Sequence, residues 1–176
     1  GEDVENFSKQ LTDDIFFPHS KITYLPQGKI EEYSGDRKKL HEKIKEIIDI
    51  QEKLHGSYGR NRKKLAIGIY PLEAIKPPIT FLAKKPEEIK FQPLEFPKEI
   101  TGKQILTQHP TGKEYGHLLK DAEVFPIFQD SAGEILSMPP IINSHKTGKI
   151  TEKTREVFIE CSGFNREFLQ KTLNMI

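Results

Sequence analysis

The sequence has only one cysteine, Cys161, among its 176 residues. That excludes an internal disulfide framework and a multi-cysteine zinc knuckle, and makes a reducing, cytoplasmic setting the default expectation. Charge of one sign is also lacking: 27 Lys and Arg stand against 26 Asp and Glu, a formal net charge of +1. With no global field to draw in a polyanion, any nucleic-acid contact has to be a local patch. No run approaches the roughly 18 apolar residues of a membrane-spanning helix. The opening GEDVENFSKQ is too acidic and polar for a signal peptide. There is no GxGxxG, Walker loop, HExxH or GxSxG, so the common catalytic signatures are missing. Gly1 stands without an initiating methionine, which suggests an excised piece of a longer polypeptide or a chain freed from a tag.

With 35% hydrophobic and 30% charged residues, the composition fits one domain with a core of ordinary size and a partly ordered arm. Residues 1–35 carry no sustained period, only an apolar knot at Ile15, Phe16 and Phe17 and a β-like run from Ile22 to Leu25, and are read as an N-terminal arm or edge element. From Asp36 onward the pattern is that of a folded domain, 36–176. Leu40, Ile44, Ile47, Ile48 and Leu54 form a helical stripe that Gly56 ends. LAIGIY (65–70) and ITFLA (79–83) read as strands around a Pro77-Pro78 turn. Thr101 and Gln104 have capping-box spacing ahead of a short helix that breaks near Pro110, and a second short helix is expected over 112–120. Residues 124–137 have the form of a hairpin turning at Asp130 to Gly133; Val157–Cys161 is a strand, and Phe164 to Ile176 an amphipathic helix. Strands and helices interleave without βαβ units, so the expected class is α+β, a mixed sheet with flanking helices.

The histidines at 19, 41, 55, 109, 117 and 145 are scattered and are read one by one as surface or partly buried residues; no structural metal is expected. The tract from His55 to Lys64 sets Arg60, Arg62, Lys63 and Lys64 beside Tyr58, which suits either a phosphate-gripping loop with an aromatic for stacking or a solvated turn. In SMPPIINSH (137–145) the paired prolines forbid a continuing central strand and are expected to send the chain out of the sheet. Asn143 then stands on a rigid approach, where its amide either holds a water against a carbonyl or bonds its own turn. Glu160 interrupts the apolar run VFIEC (157–161): on an inner sheet face it would need a partner, whereas on an outer face it would not.

Several strings occur in a telling order: QEKLH (51–55), GRNR (59–62), AIGI (66–69), IKPPI (75–79), KFQPL (90–94), KEYGH (113–117), LSMPPIIN (136–143) and VFIE (157–160). Together they resemble the editing module in the beta subunit of archaeal and eukaryotic-type phenylalanyl-tRNA synthetase, over about residues 44–176. The resemblance implies an α+β domain that hydrolyses tyrosine wrongly esterified to phenylalanine tRNA. It implies catalytic-pocket positions at Asn143, Gln51, Glu52 and Arg62, a tyrosyl-reading set of Phe128, Ser137, Glu160 and Ser162, and contacts to the tRNA 3′ end at Leu94 and Lys149. Lys149 stands where the family carries arginine, Phe128 where a smaller aliphatic residue is common, and Ser162 where threonine is. The family also enters the module through an Arg-Pro-aromatic strand, of which residues 1–43 show no sign.

The resemblance implies no cofactor for this domain, the ATP and magnesium of a parent synthetase acting outside the chain. Its partners would be the 3′ end of phenylalanine tRNA, the alpha subunit and the rest of the beta subunit in a heterotetramer, with no membrane and no DNA. Two alternatives are a nonenzymatic RNA- or protein-binding module using residues 60–64, and a free-standing deacylase acting in trans.

Overall fold

The computed structural model describes residues 19–23 and 37–176. The knot at Ile15 to Phe17, Leu25 and the side chain of Leu40 lie outside the described residues. The fold is α+β, as expected, but its strands form three antiparallel sheets in place of one mixed sheet.

The first sheet has the order β1-β9-β2, from β1 (His19–Thr23), β9 (Val157–Gly163) and β2 (Leu65–Pro71). A strand therefore does precede the first helix, without the Arg-Pro-aromatic signature. It pairs with β9 from His19 opposite Gly163 to Thr23 opposite Ile159. Helix α1 (Arg37–Gly56) packs Ile47 and Leu54 on this sheet, and α5 (Arg166–Leu173), which follows the single-turn α4 (His145–Gly148), packs Leu169 and Phe168. Both faces of β9 are covered, which is why its sequence is apolar without alternation. Asn165 caps α5 by accepting from the Phe168 amide at 2.9 Å.

The second sheet has the order β3-β6-β7-β8, from β3 (Thr80–Lys84), β6 (Phe125–Gln129), β7 (Ile135–Met138) and β8 (Ile142–Asn143). The β6–β7 turn forms where the sequence places it. Asp130 Oδ1 accepts from the amides of Ala132 and Glu134, and Gly133 takes the left-handed conformation at φ 83°. The paired prolines, however, do not send the chain out of the sheet. It doubles back through Met138 to Ile141, with the Ile141 amide donating to Met138 O at 2.8 Å, and returns as β8 alongside β7. Pro139 and Pro140 occupy the turn itself, outside the ladder, where no N–H is needed.

A two-stranded ribbon, β4 (Lys90–Phe91) with β5 (Ile100–Thr101), leads into α2 (Gly102–Gln108). The capping box forms, Thr101 Oγ1 accepting from the Gln104 amide and Gln104 Oε1 from the Thr101 amide. The second short helix starts earlier than its expected 112–120: α3 spans Pro110–Tyr115, with a 3₁₀ turn at Gly116–Leu118. Proline at the first helical position and a capping His109 explain the shift. Three buried clusters result, one under each main sheet and a third, with Tyr70, Phe128, Leu136 and Phe158, where the two sheets meet.

Replacing Thr101 by Ala removes one cap and should lower the free energy of unfolding by about 1 kcal/mol. Leu169→Ala, at a fully buried position between α5 and the first sheet, should cost about 2–5 kcal/mol. Urea titrations with an unchanged slope check both, and equal losses would contradict this ranking.

Candidate functional site

Among the described residues β2 is an edge strand of its sheet, so the outward backbone groups of Ile67 have no strand among them to pair with. Two side chains one helical turn apart at the end of α1 satisfy them. Gln51 Nε2 donates to Ile67 O at 2.8 Å, and His55 Nε2 accepts from the Ile67 amide at 2.8 Å. Further along the same edge, the Nδ2 of Asn143 lies 3.4 Å from Ile69 O. The three residues draw α1, β2 and β8 around a cavity of about 250 Å³.

Asn143 is held from two sides. Its carbonyl accepts from the Leu94 amide at 2.8 Å, and the Leu94 carbonyl is bound by His109 Nε2 at 3.0 Å, whose Nδ1 accepts from the Thr111 amide. Gly148 leaves the room: a Cβ there would stand 2.7 Å from the Cβ of Asn143.

Across the cavity mouth, Glu52 sits between His55 and Arg62, its Oε1 3.6 Å from His55 Nδ1 and 3.6 Å from Arg62 Nη2. The His55 contact, longer than a formed hydrogen bond, and the Arg62 guanidinium hold the Glu52 carboxyl below its usual value. Burial pushes His55 down, in keeping with an Nε2 that accepts from a backbone amide and an imidazole that is neutral with its proton on Nδ1. Arg62 is not solvated like Lys63. It follows two other left-handed residues, Arg60 and Asn61, and at φ 64° turns inward over the Tyr115 ring. There its Nη1 donates to the carbonyls of Pro140 at 3.1 Å and Ile141 at 2.9 Å, so the cation fastens the proline turn. Tyr58 is not open for stacking on a ligand, because its ring lies face to face with Phe168 at 4.1 Å.

The buried end of the cavity is Glu160, on the inner face and almost wholly enclosed. It stands directly opposite Gly68 on β2, where any Cβ would overlap its Oε1 and the Tyr70 hydroxyl. Tyr70 Oη lies 2.8 Å from Ser137 Oγ and 3.2 Å from Glu160 Oε1, linking the two main sheets. Burial pushes the Glu160 carboxyl up to about 8 and raises Tyr70 as well. Glu160 Oε2 is buried without a hydrogen-bond partner.

Of the residues singled out in the sequence, Gln51, Glu52, Arg62 and Asn143 line this one cavity, as do Ser137 and Glu160. Leu94 and Lys149 lie on its rim side, Lys149 paired with Glu95 at 3.2 Å. Phe128 and Ser162 are not on its wall. Phe128 is buried between the sheets against Phe81, and Ser162 is buried further along β9 with an unpartnered hydroxyl. His55, expected as a surface or partly buried histidine, is instead buried and bonded to the β2 edge, and Gly68, Tyr70 and Gly148 had no role assigned from the sequence. His55 had a signal in its spacing of four from Gln51. Ala66, Gly68 and Tyr70 had one too, a small-small-large series on one face of β2.

Glu160 predicts how stability depends on pH. Its folded value near 8 exceeds its ordinary 4.5, so its contribution is complete below pH 4.5 and is lost as pH rises toward 8. Against Glu160→Gln, the wild type should lose about 1.4 kcal/mol per pH unit across that window. Chemical denaturation from pH 4 to 9 checks this, and parallel curves for the two proteins would contradict it.

A family model described as the B3/4 domain matches residues 36–176. The beta subunit of phenylalanine–tRNA ligase from Thermococcus sibiricus is 44% identical over 135 residues, covering 77% of this chain and 24% of that protein. The beta subunit from Methanocaldococcus jannaschii is 45% identical over 133 residues, or 76% and 24%. The chain thus spans about a quarter of the length of these curated relatives. Among solved structures, an N-terminal fragment of the phenylalanyl-tRNA synthetase beta subunit from Pyrococcus horikoshii superposes with a TM-score of 0.78 at 37% identity. That match covers 94% of this chain and 44% of the other. With the family model matching most of its length, the chain belongs to the B3/4 domain family.

Proposed function

We propose that this chain is the B3/4 module of a phenylalanine–tRNA ligase beta subunit and that its cavity hydrolyses tyrosine misattached to phenylalanine tRNA. The observation that carries the reading is a buried carboxyl with an unpartnered oxygen, Glu160 Oε2, on a residue of the same cavity wall as Asn143. Size supports it: a cavity of about 150 Å³ holds benzene, so one of about 250 Å³ has room for a phenol and its ester. The beta-subunit relatives support the tRNA part.

In this reading the substrate's phenol reaches Glu160 and Ser137, and the ester lies beside Asn143. Because Ile69 O can only accept, the Asn143 amide turns its NH₂ to that carbonyl and keeps Oδ1 to accept a hydrogen bond from one O–H of the attacking water. Glu52, held ionised, takes the other proton. The water oxygen bonds to the ester carbon, the bond to the ribose oxygen breaks, and that oxygen takes the proton back from Glu52 to leave as the terminal hydroxyl. An aminoacyl ester is already activated, so placement of a water can suffice without a nucleophilic side chain. Arg62 acts by holding the Pro139–Pro140 wall. Leu94 and Lys149 stand on the side where the terminal adenosine would enter. ATP and magnesium would serve the parent enzyme elsewhere, and the alpha subunit with the rest of the beta subunit would complete the assembly.

Discrimination follows from polarity. A site that hydrogen-bonds a hydroxyl can reject the analogue lacking it by about 10⁴–10⁵, since phenylalanine would leave Glu160 and Ser137 unsatisfied. The purified chain should therefore deacylate tyrosyl-tRNA(Phe) and spare phenylalanyl-tRNA(Phe). Asn143→Ala should lower the rate by about 10²-fold or more in a chain that still folds, with a melting temperature lowered by loss of the bond to Ile69 O. A wild-type chain that cleaves both esters alike, or an Asn143→Ala variant of full activity, would sink the proposal. Replacing Glu160 by Ala should narrow the preference for the tyrosyl over the phenylalanyl ester; a preference unchanged by that substitution would contradict the role given to the carboxyl.

A further inference from the structure

Tyr70 is absent from the cavity wall, yet it is the residue that joins the two that read the substrate in the reading above. Its single hydroxyl proton cannot serve both neighbours. At 2.8 Å from Ser137 Oγ and 3.2 Å from Glu160 Oε1, the shorter contact takes the proton and the longer one faces an oxygen lone pair. Burial keeps the Glu160 carboxyl protonated, and its proton goes where an acceptor stands: Oε2 has no hydrogen-bond partner, whereas Oε1 faces the Tyr70 lone pair. The result is a directed chain, from Glu160 Oε1–H to Tyr70 Oη–H to Ser137 Oγ, which leaves Oε2 as a bare carbonyl oxygen.

The geometry points to Tyr70 as the positioning residue for specificity. Its hydroxyl fixes the Glu160 proton on Oε1, so that Oε2 meets the cavity purely as an acceptor and selects an aminoacyl side chain that ends in a hydroxyl donor. The inference rests on the deacylase reading for its substrate, whereas the proton chain rests on the two contacts of Tyr70, the burial of Glu160 and its unpartnered Oε2.

The surroundings are built for one arrangement. Tyr70 is fully buried, with its ring tilted against Phe158 at 6.1 Å and clustered with Phe128 and Leu136, so its hydroxyl has no freedom to wander. Gly68 supplies a side-chain-free gap in which Tyr70 and Glu160 meet, because a Cβ there would overlap both oxygens. Among the described residues, the titratable groups facing Glu160 are Tyr70 on β2 and Cys161 beside it on β9. The Cys161 thiol is pushed far up, first by burial and then by the Glu160 carboxyl. No cation is in contact to hold Glu160 ionised among these residues.

Two variants move the proton in opposite directions. Tyr70→Phe keeps the ring and removes the group that can donate to an ionised Glu160, so the carboxyl should titrate higher than in the wild type. Ser137→Ala leaves Tyr70 only Glu160 as an acceptor, so the carboxyl should titrate lower. The carboxyl-labelled glutamate resonance of Glu160, followed by NMR against pH in each folded variant, reads both shifts. Opposite signs support the chain; shifts of one sign, or none, overturn it.

Specificity is read with two nonhydrolysable probes, adenosine bearing tyrosine or phenylalanine as a 3′-amide, by calorimetry. Tyr70→Phe should lose at least tenfold in affinity for the tyrosyl probe with phenylalanyl affinity unchanged. Equal losses for both probes would make Tyr70 a packing residue and overturn the inference. A wild-type chain that binds both probes equally would count against the deacylase reading instead, and the NMR titrations would then still decide the proton chain.

Discussion

The unpaired edge of β2 is the constraint from which the site follows. In a three-stranded sheet of order β1-β9-β2, that edge exposes backbone groups which must find partners or water. Here side chains take the place of a fourth strand: Gln51 and His55 close on both backbone groups of Ile67, and Asn143 reaches Ile69. Each of these contacts brings a different element to the edge. The helix end, the proline turn and the Leu94 segment converge there because the strand requires partners, and the cavity is the space their backbones leave open. Polar side chains thus reach the interior with part of their hydrogen-bonding capacity used on the scaffold and part left over.

Glu160 imposes the second condition. An ionised carboxylate in its position, with no cation in contact among the described residues, would cost more than its hydrogen bonds return, so the group stays protonated through neutrality. A neutral carboxyl can donate and accept at once, and Tyr70 takes the donor role's partner position while bridging to Ser137 on the other sheet. The sheet-to-sheet contact is therefore both packing and polarity: Phe128, Phe158 and Leu136 supply the apolar part around one hydrogen-bonded phenol.

Signals that are local in sequence were legible. The stripe of α1, the Thr101 capping box, the Asp130–Gly133 turn and the β-type run of β2 each depend on residues within a few positions of one another, and each forms. What depends on long-range pairing was not. The return of β8 against β7 follows from where Met138 and Ile141 meet, and a proline pair reads equally as departure or as hairpin turn. Tyr58 looked free because Phe168, on which it stacks, is more than a hundred positions away. The grouping of Gln51, Glu52, Arg62, Asn143, Ser137 and Glu160 came from resemblance to a family, whereas His55 and Tyr70 needed coordinates, since each acts through a partner on another element.

The distribution of unsatisfied groups connects stability with chemistry. Among the described residues, the buried side-chain atoms without a hydrogen-bond partner are His55 Nδ1, Arg62 Nε, Glu160 Oε2 and Ser162 Oγ. The first three belong to residues that line the cavity, and Ser162 lies two positions from Glu160 on the same face of β9. Such a group costs about 1–3 kcal/mol when left unpaired, and elsewhere the fold avoids that cost by capping helix ends and closing turns. Concentrating it around one cavity means that a ligand with matching donors and acceptors recovers energy that the folded chain alone forgoes. An apolar analogue of the same size recovers none of it, so the imbalance that weakens the free protein is the same one that separates a hydroxylated side chain from its unhydroxylated counterpart.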